Sequence, residues 1–358
     1  MKKILVVLLA IMMLVGCSTG TDKPKDEDKD QPLKVALLVG SLGDMSFNDS
    51  AAAGVNKAKA ELKNVDVKII EYGTAADKFE ATFVDTADAG YDMILSGSTM
   101  QEYVQKYAPE YKDSTFVIFD SQVDYTKGDF SNVYSIVYKA NEASFLGGYL
   151  AAATSDTGVI GFLGGTDQPI ISDFLVGFIQ GAKEANPNIK VATSYVGSWS
   201  DSAKGKELSF AMYNQNASLV FNVAGGSGVG AIEAGVERKK AVLGVDSDQA
   251  MKYKGLGNES YASVIVSSVL KNVGDSLYRA IDLKLKGELK VGATETLGIK
   301  EGGVGLADNE YYQNAVSAEI RAKIAELEGK VTGGQIVVDT AYGMTTDQVN
   351  TIRESVKP

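Results

Sequence analysis

The sequence contains no histidine. That absence removes His-containing zinc and copper sites, histidine general bases and Ser-His-Asp triads together, and closes most hydrolytic routes to catalysis. The one cysteine, Cys17, cannot form a disulfide within a single chain, so the core alone must hold the fold. Arginine is scarce, with Arg238, Arg279, Arg321 and Arg353 as the full set. None of them stands where a strand runs into a loop, so no bidentate phosphate clamp is expected. A glycine-rich loop ending in Gly-Lys-Ser or Gly-Lys-Thr is missing as well. Positive charge is outweighed, 35 Lys plus Arg against 46 Asp plus Glu, for a net charge of −11. A surface this acidic repels phosphate backbones and anionic headgroups, so nucleic acid is not an expected partner.

Long apolar runs are equally rare. The single one, Ile4 to Val15, follows Lys2 and Lys3 and ends at Gly16-Cys17. It falls short of the roughly 20 apolar residues that span a bilayer and has the charged-then-apolar layout of a signal peptide. The segment Leu14-Val15-Gly16-Cys17 resembles the lipobox of bacterial lipoproteins. It predicts a signal peptide over residues 1–16, an acylated (palmitate-bearing) Cys17, and anchoring at the outer face of the cytoplasmic membrane, or in an outer membrane if the source has one. Losing Lys2 and Lys3 would take the net charge from −11 to −13. Ser18 to Pro32 has no aliphatic or aromatic side chain to bury and reads as a solvated tether. Asp26, Asp28 and Asp30 alternate as in a calcium loop, but Gln31 replaces the required glycine and Leu37 the closing glutamate, so no metal is expected there.

About 340 residues would remain after cleavage, more than one core usually serves, and two lobes are expected. From Leu33 the chain alternates short apolar runs with helical patterns, the signature of parallel sheets with crossover helices. The first set of strands is read at Val35–Gly40, Val67–Tyr72, Met93–Gly97, Phe116–Asp120 and Val133–Tyr138. A second set is read at Gly158–Gly164, Val191–Gly197, Leu219–Ala224, Ala241–Asp246 and Tyr261–Val266. Ala51, Val55, Ala58 and Leu62 form an apolar stripe at helical spacing, as do Leu175, Phe178, Ile179 and Ala182.

Ligands bind beyond the carboxyl ends of strands in open α/β sheets, where loops and helix N-termini converge. Most of those ends pair glycine with hydroxyl or carboxylate residues, as in 40–44 (GSLGD), 96–100 (SGSTM) and 224–228 (AGGSG), while 120–124 (DSQVD) and 245–249 (VDSDQ) carry hydroxyl and carboxylate residues without glycine. A cleft lined this way suits a ligand rich in hydroxyl and N–H groups. Ser46 and Asp49 form an S-x-x-D capping pattern that places Phe47 in the first turn of a helix. Its spacing from Ala51 fits burial as well as ligand stacking. Asp120 ends a buried strand and serves as a ligand acceptor or as a turn residue. Lys271 reads from its own context as a solvated lysine.

The segments Gly43-Asp44-Met45-Ser46-Phe47-Asn48, Phe119-Asp120, Gly158 to Gly165, Phe174 to Gly181, Ala224 to Gly228, Gly244 to Gln249 and Ser268 to Lys271 resemble, in order, the basic membrane protein family. This is a family of substrate-binding lipoproteins similar to the purine nucleoside receptors of ABC transporters. The resemblance implies an α/β type I periplasmic-binding fold, two Rossmann-like lobes with parallel sheets joined by hinge strands. The lobes would comprise 33–139 with about 267–300, and 140–266 with about 301–358. It also implies ligand-binding roles for Asp44, Phe47, Asn48, Ser98, Asp120, Phe174, Gly225, Gly226, Asp246 and Lys271. Phe47 and Phe174 would sandwich a base, Asn48 and Asp120 read its edge, and Asp246 and Lys271 hold the ribose. The expectation is a monomeric receptor, not an enzyme, with no cofactor. It would capture a nucleoside such as adenosine, guanosine or inosine and pass it to an ABC permease; a sugar or autoinducer receptor, or a nucleoside sensor, is the alternative.

Overall fold

A computed structural model describes residues 31–358. The leader, Cys17 and the tether as far as Asp30, including the aspartates of the would-be calcium loop, lie outside the described residues. Twelve strands follow in chain order: β1 Leu33–Val39, β2 Val65–Glu71, β3 Met93–Gly97, β4 Thr115–Phe119, β5 Val133–Tyr138, β6 Val159–Gly164, β7 Lys190–Tyr195, β8 Leu219–Val223, β9 Ala241–Asp246, β10 Ile265–Lys271, β11 Ala293–Leu297 and β12 Val304–Leu306. They form two six-stranded sheets, β11-β5-β4-β3-β1-β2 and β12-β10-β9-β8-β6-β7. Every pairing is parallel except β10 with β12. Central strands such as β3, β4 and β8 are buried throughout, which is why they read as largely apolar runs rather than alternating ones.

The two sheets repeat one order, 2-1-3-4-5 plus an edge strand, so each reverses direction between its first and third strands. Such a reversal opens a crevice at the strands' carboxyl ends. The repeat makes Asp120, just after β4, the counterpart of Asp246, at the end of β9. The helices that open the two lobes, Phe47–Glu61 and Pro169–Ala185, are counterparts as well.

The chain passes between the sheets three times, after β5, after β10 and between β11 and β12. Neighbouring passages are bonded together: Lys139 donates its amide to the Leu297 carbonyl at 3.0 Å, and Asn272 to Gly303 at 2.8 Å. After the first passage, helix Ala140–Ala153 packs along helix Pro169–Ala185. Their backbones touch at three glycines: a β-carbon on Gly148 would lie 2.0 Å from the Phe178 carbonyl oxygen, one on Gly177 2.3 Å from that of Asn141, and one on Gly181 1.8 Å from that of Phe145. This contact fixes the helix that carries Phe174. The stripes at Ala51, Val55 and Ala58 and at Leu175, Phe178, Ile179 and Ala182 are buried.

The strand read at Tyr261–Val266 runs instead over Ile265–Lys271. Asn258 accepts from the Tyr261 amide and caps a short helix, Glu259–Ala262, which takes the start of that segment. The whole of β10 therefore belongs to the second sheet, and the chain returns to the first only at Asn272.

Candidate functional site

Asp120 and Asp246 share an unusual backbone. Both are non-glycine residues in the left-handed region, with φ of 60° and 61°. An aspartate tolerates that region better than most residues, yet it persists there only where the surroundings hold it. The effect in each lobe is to turn a carboxylate off the end of a buried strand. The two carboxylates meet one cation: Lys271, the last residue of β10, lies with Nζ 2.6 Å from Asp120 and 3.7 Å from Asp246. All three side chains are buried.

Two aromatic rings face the same ammonium from opposite lobes, Phe47 with its centroid 5.1 Å from Nζ and Phe174 at 5.0 Å. The negative faces of aromatic rings attract a cation at such distances. Phe47 leans on Phe119 at 5.5 Å and Phe174 on Phe221 at 6.2 Å, so each ring rests on its own sheet. Phe174 is fully buried, whereas Phe47 is half-buried.

Burial alone would pull the Lys271 pKa down. Asp120 and Asp246 outweigh it and hold the ammonium above the usual lysine value. Burial lifts the Asp120 carboxyl above its ordinary range, opposed by Lys271 and reinforced by the Asp246 and Asp173 charges. Carboxyl groups outnumber the Lys271 ammonium at this centre. A neutral, polar ligand suits such a site, and an anion meets repulsion.

The loop before Phe47 differs from the capping pattern read in the sequence. Ser46 does not cap the helix; its hydroxyl donates across the lobes to Asp246 Oδ2. Asp44 takes the capping role, its carboxylate accepting from the amides of Asn48 at 2.8 Å, Ser46 at 2.9 Å and Asp49 at 3.1 Å. Asp49 in turn accepts from Gly43 and Met45, each at 2.8 Å. A carboxylate two residues earlier satisfies three free N–H groups at the positive end of the helix, more than one hydroxyl can.

The remaining candidates lie around this centre. Asn48 accepts from the Gly40 amide at 3.3 Å through Oδ1. Gly225, with φ of 53°, and Gly226 open a 3-10 turn that leads into helix Val229–Arg238. A β-carbon on Gly226 would stand 3.1 Å from the Trp199 carbonyl oxygen and 3.8 Å from the Asp44 side chain, so opposing loops are in contact there. Ser98 is exposed at the start of a 3-10 turn after β3 and does not join the ion cluster.

Sequence reasoning missed Asp173, which is buried beside Phe174 and accepts from the amides of Asn141 at 3.2 Å and Ala341 at 3.0 Å and from the Thr340 hydroxyl. It ties the C-terminal segment to the helix carrying Phe174. Its position next to Phe174 in FLVGFIQG was the available signal. Trp199, packed over Gly165 and Gly225, was missed too; as the chain's sole tryptophan in a strand-end loop it could have been found. Among the described residues no group of three metal-ligating side chains comes together, and no helix is long and apolar enough to cross a membrane.

Residues 33–339 match the family described as "ABC transporter substrate-binding protein PnrA-like". Basic membrane protein A of Borreliella burgdorferi is 32% identical over 351 residues, 94% of this chain and 95% of that protein. The ABC transporter nucleoside-binding protein BmpA of Lactococcus lactis subsp. cremoris is 30% identical, covering 91% of this chain and 96% of its own. Among solved structures, an ABC transporter solute-binding protein of Aeropyrum pernix superposes with a TM-score of 0.79 at 26% identity, covering 91% of this chain and 97% of that one.

Proposed function

The chain belongs to the family of PnrA-like ABC transporter substrate-binding proteins, and on that premise we propose that it captures a nucleoside, with a purine base, between its two lobes and delivers it to a permease without performing chemistry. The supporting observation is the convergence of Phe47 and Phe174, from opposite lobes, on the centre formed by Asp120, Asp246 and Lys271. Flat rings select a flat base, and stacking contributes about 1–3 kcal/mol per base. Asp246 accepts from both hydroxyls of a ribose, while Asp120 and Asn48 read the edge of the base. The name of the lactococcal relative, a nucleoside-binding protein, favours the same class. Acylation at Cys17 would hold the receptor at the outer face of the membrane, beside its permease.

The test is a thermal-shift panel of guanosine, adenosine, inosine, uridine, D-ribose and galactose. A bound nucleoside at about 100 times its dissociation constant adds about 2.7 kcal/mol to stability. If only the sugars raise the melting temperature, the reading is wrong. Extraction of small molecules from purified protein gives an independent answer. Asp246→Ala is expected to weaken binding of the nucleoside more than that of its free base, and equal losses would contradict the ribose role.

Acid separates capture from stability. A carboxyl whose folded-state pKa lies above the unfolded value of 3.8 takes its proton more readily in the folded protein, as for Asp120. The cost of its charge is present above the folded pKa and is relieved as pH falls through that value toward 3.8. Acidification from neutrality is therefore expected to weaken nucleoside binding, because protonation removes an acceptor, before it lowers the melting temperature of the ligand-free protein. Calorimetric affinity and melting temperature measured at each pH check this. A parallel fall of both would point to general acid unfolding instead.

A further inference from the structure

Met45 has a positive φ of 55°, a conformation uncommon for a long side chain. It lies in the first lobe's turn between Asp44 and the helix start at Phe47, yet its side chain packs against a cluster of the second lobe that includes Ile232, Ala250, Tyr253 and Ile265. Its backbone is held at both ends: the amide donates to Asp49 at 2.8 Å, and the carbonyl accepts from Gln249 Nε2 at 3.2 Å. Gln249 is itself fixed in the second lobe, its Oε1 accepting from Asn222 and from the Val245 amide, both at 3.2 Å. Ser46 follows at once with its bond to Asp246. Lys252 Nζ, on the same helix as Gln249, is buried without a hydrogen-bond partner and lies within the fields of Asp49, Asp44 and Asp246. The turn that presents Phe47 and Asn48 is thus seated on the opposite lobe by an apolar contact, flanked by polar ones.

We propose that Met45 is a positioning residue, a plug from the first lobe into the second that holds the start of helix Phe47–Glu61 in its ligand-facing place and thereby sets how long a captured ligand stays. Methionine suits the task because its unbranched, polarisable side chain fills irregular gaps. The left-handed backbone directs it out of its own lobe, and the Asp49 and Gln249 bonds maintain that conformation. The residence-time half of the proposal rests on the nucleoside reading above; the contact between lobes does not.

Three variants of the full chain test it. Met45→Leu keeps an apolar plug, Met45→Ala removes it, and Met45→Asn removes it while retaining a residue that tolerates positive φ. In ligand-free protein, amide hydrogen exchange over residues 249–262 is expected to quicken in the Ala and Asn variants and to stay near wild type in Met45→Leu. With guanosine as probe, stopped-flow dissociation is expected to accelerate about tenfold in Ala and Asn, with association changed less than about twofold, since interface changes act mostly on the off-rate. Wild-type exchange and wild-type dissociation in Met45→Asn would overturn the proposal. Faster exchange with unchanged dissociation would overturn its residence-time half. If guanosine fails to bind the wild-type protein, the nucleoside reading falls, and the exchange experiment still decides whether the plug exists.

Discussion

Lys271→Met is expected to lose about 3–5 kcal/mol of folding stability, because removing one member of a buried ionic cluster leaves its partners uncompensated. In this protein the partners are two carboxylates from different lobes, Asp120 and Asp246, brought off their strands by left-handed backbone and enclosed between phenyl rings. Methionine matches the length of lysine and supplies no charge, so the packing loss is small and the electrostatic loss dominates. Urea titrations should place the midpoint of Lys271→Met well below that of wild type. The deficit should shrink as pH is lowered, since protonating one carboxylate relieves the repulsion, and should shrink likewise in the double variant Lys271→Met with Asp120→Asn. A single variant as stable as wild type at neutral pH would show that the ammonium does not neutralise these carboxylates. Nucleoside binding should be lost in either case.

Phe174→Ala comes second in size. Truncating a fully buried phenylalanine costs about 3–5 kcal/mol of stability, and here the cavity would open beside Phe221 and Asp173. Binding should fall in addition by about 1–3 kcal/mol, the worth of one stacked base. Phe174→Leu separates the two losses: it keeps most of the volume, so stability changes by about 1.5 kcal/mol or less, while the flat face for the base is gone. Calorimetry on the leucine variant carries the decision. If it binds nucleoside as tightly as wild type, Phe174 is a core residue and nothing more.

Most of the strand framework was legible because parallel strands buried on both faces leave continuous apolar runs, as in Met93–Gly97 and Ala241–Asp246. Two of the four edge strands, β11 and β12, were not. Ala293–Leu297 is buried only at Leu297, and Val304–Leu306 has three residues, so neither carries enough apolar pattern to announce itself. Within the site, Asp120 and Asp246 could be singled out because each terminates such a run. Their left-handed backbone could not, nor could Asp44 displacing Ser46 as the helix cap. Lys271 shows the limit most clearly: alone it reads as a surface lysine, and its burial arises only when β9 and β10 of one lobe face β4 of the other. Met45 and Asp173 have the same character, since their partners lie 187 and more, and up to 168, residues away in sequence.

The place of Lys271 in the chain has a mechanical consequence. It is the last residue before one of three passages that join the lobes, and the passages are hydrogen-bonded to one another. A bundle of crossings is an axle, and points close to an axle travel little when the parts it joins swing. The ammonium, at the start of one crossing, and its Asp120 contact sit beside that axle. Electrostatics would then hold the centre nearly constant through any such swing.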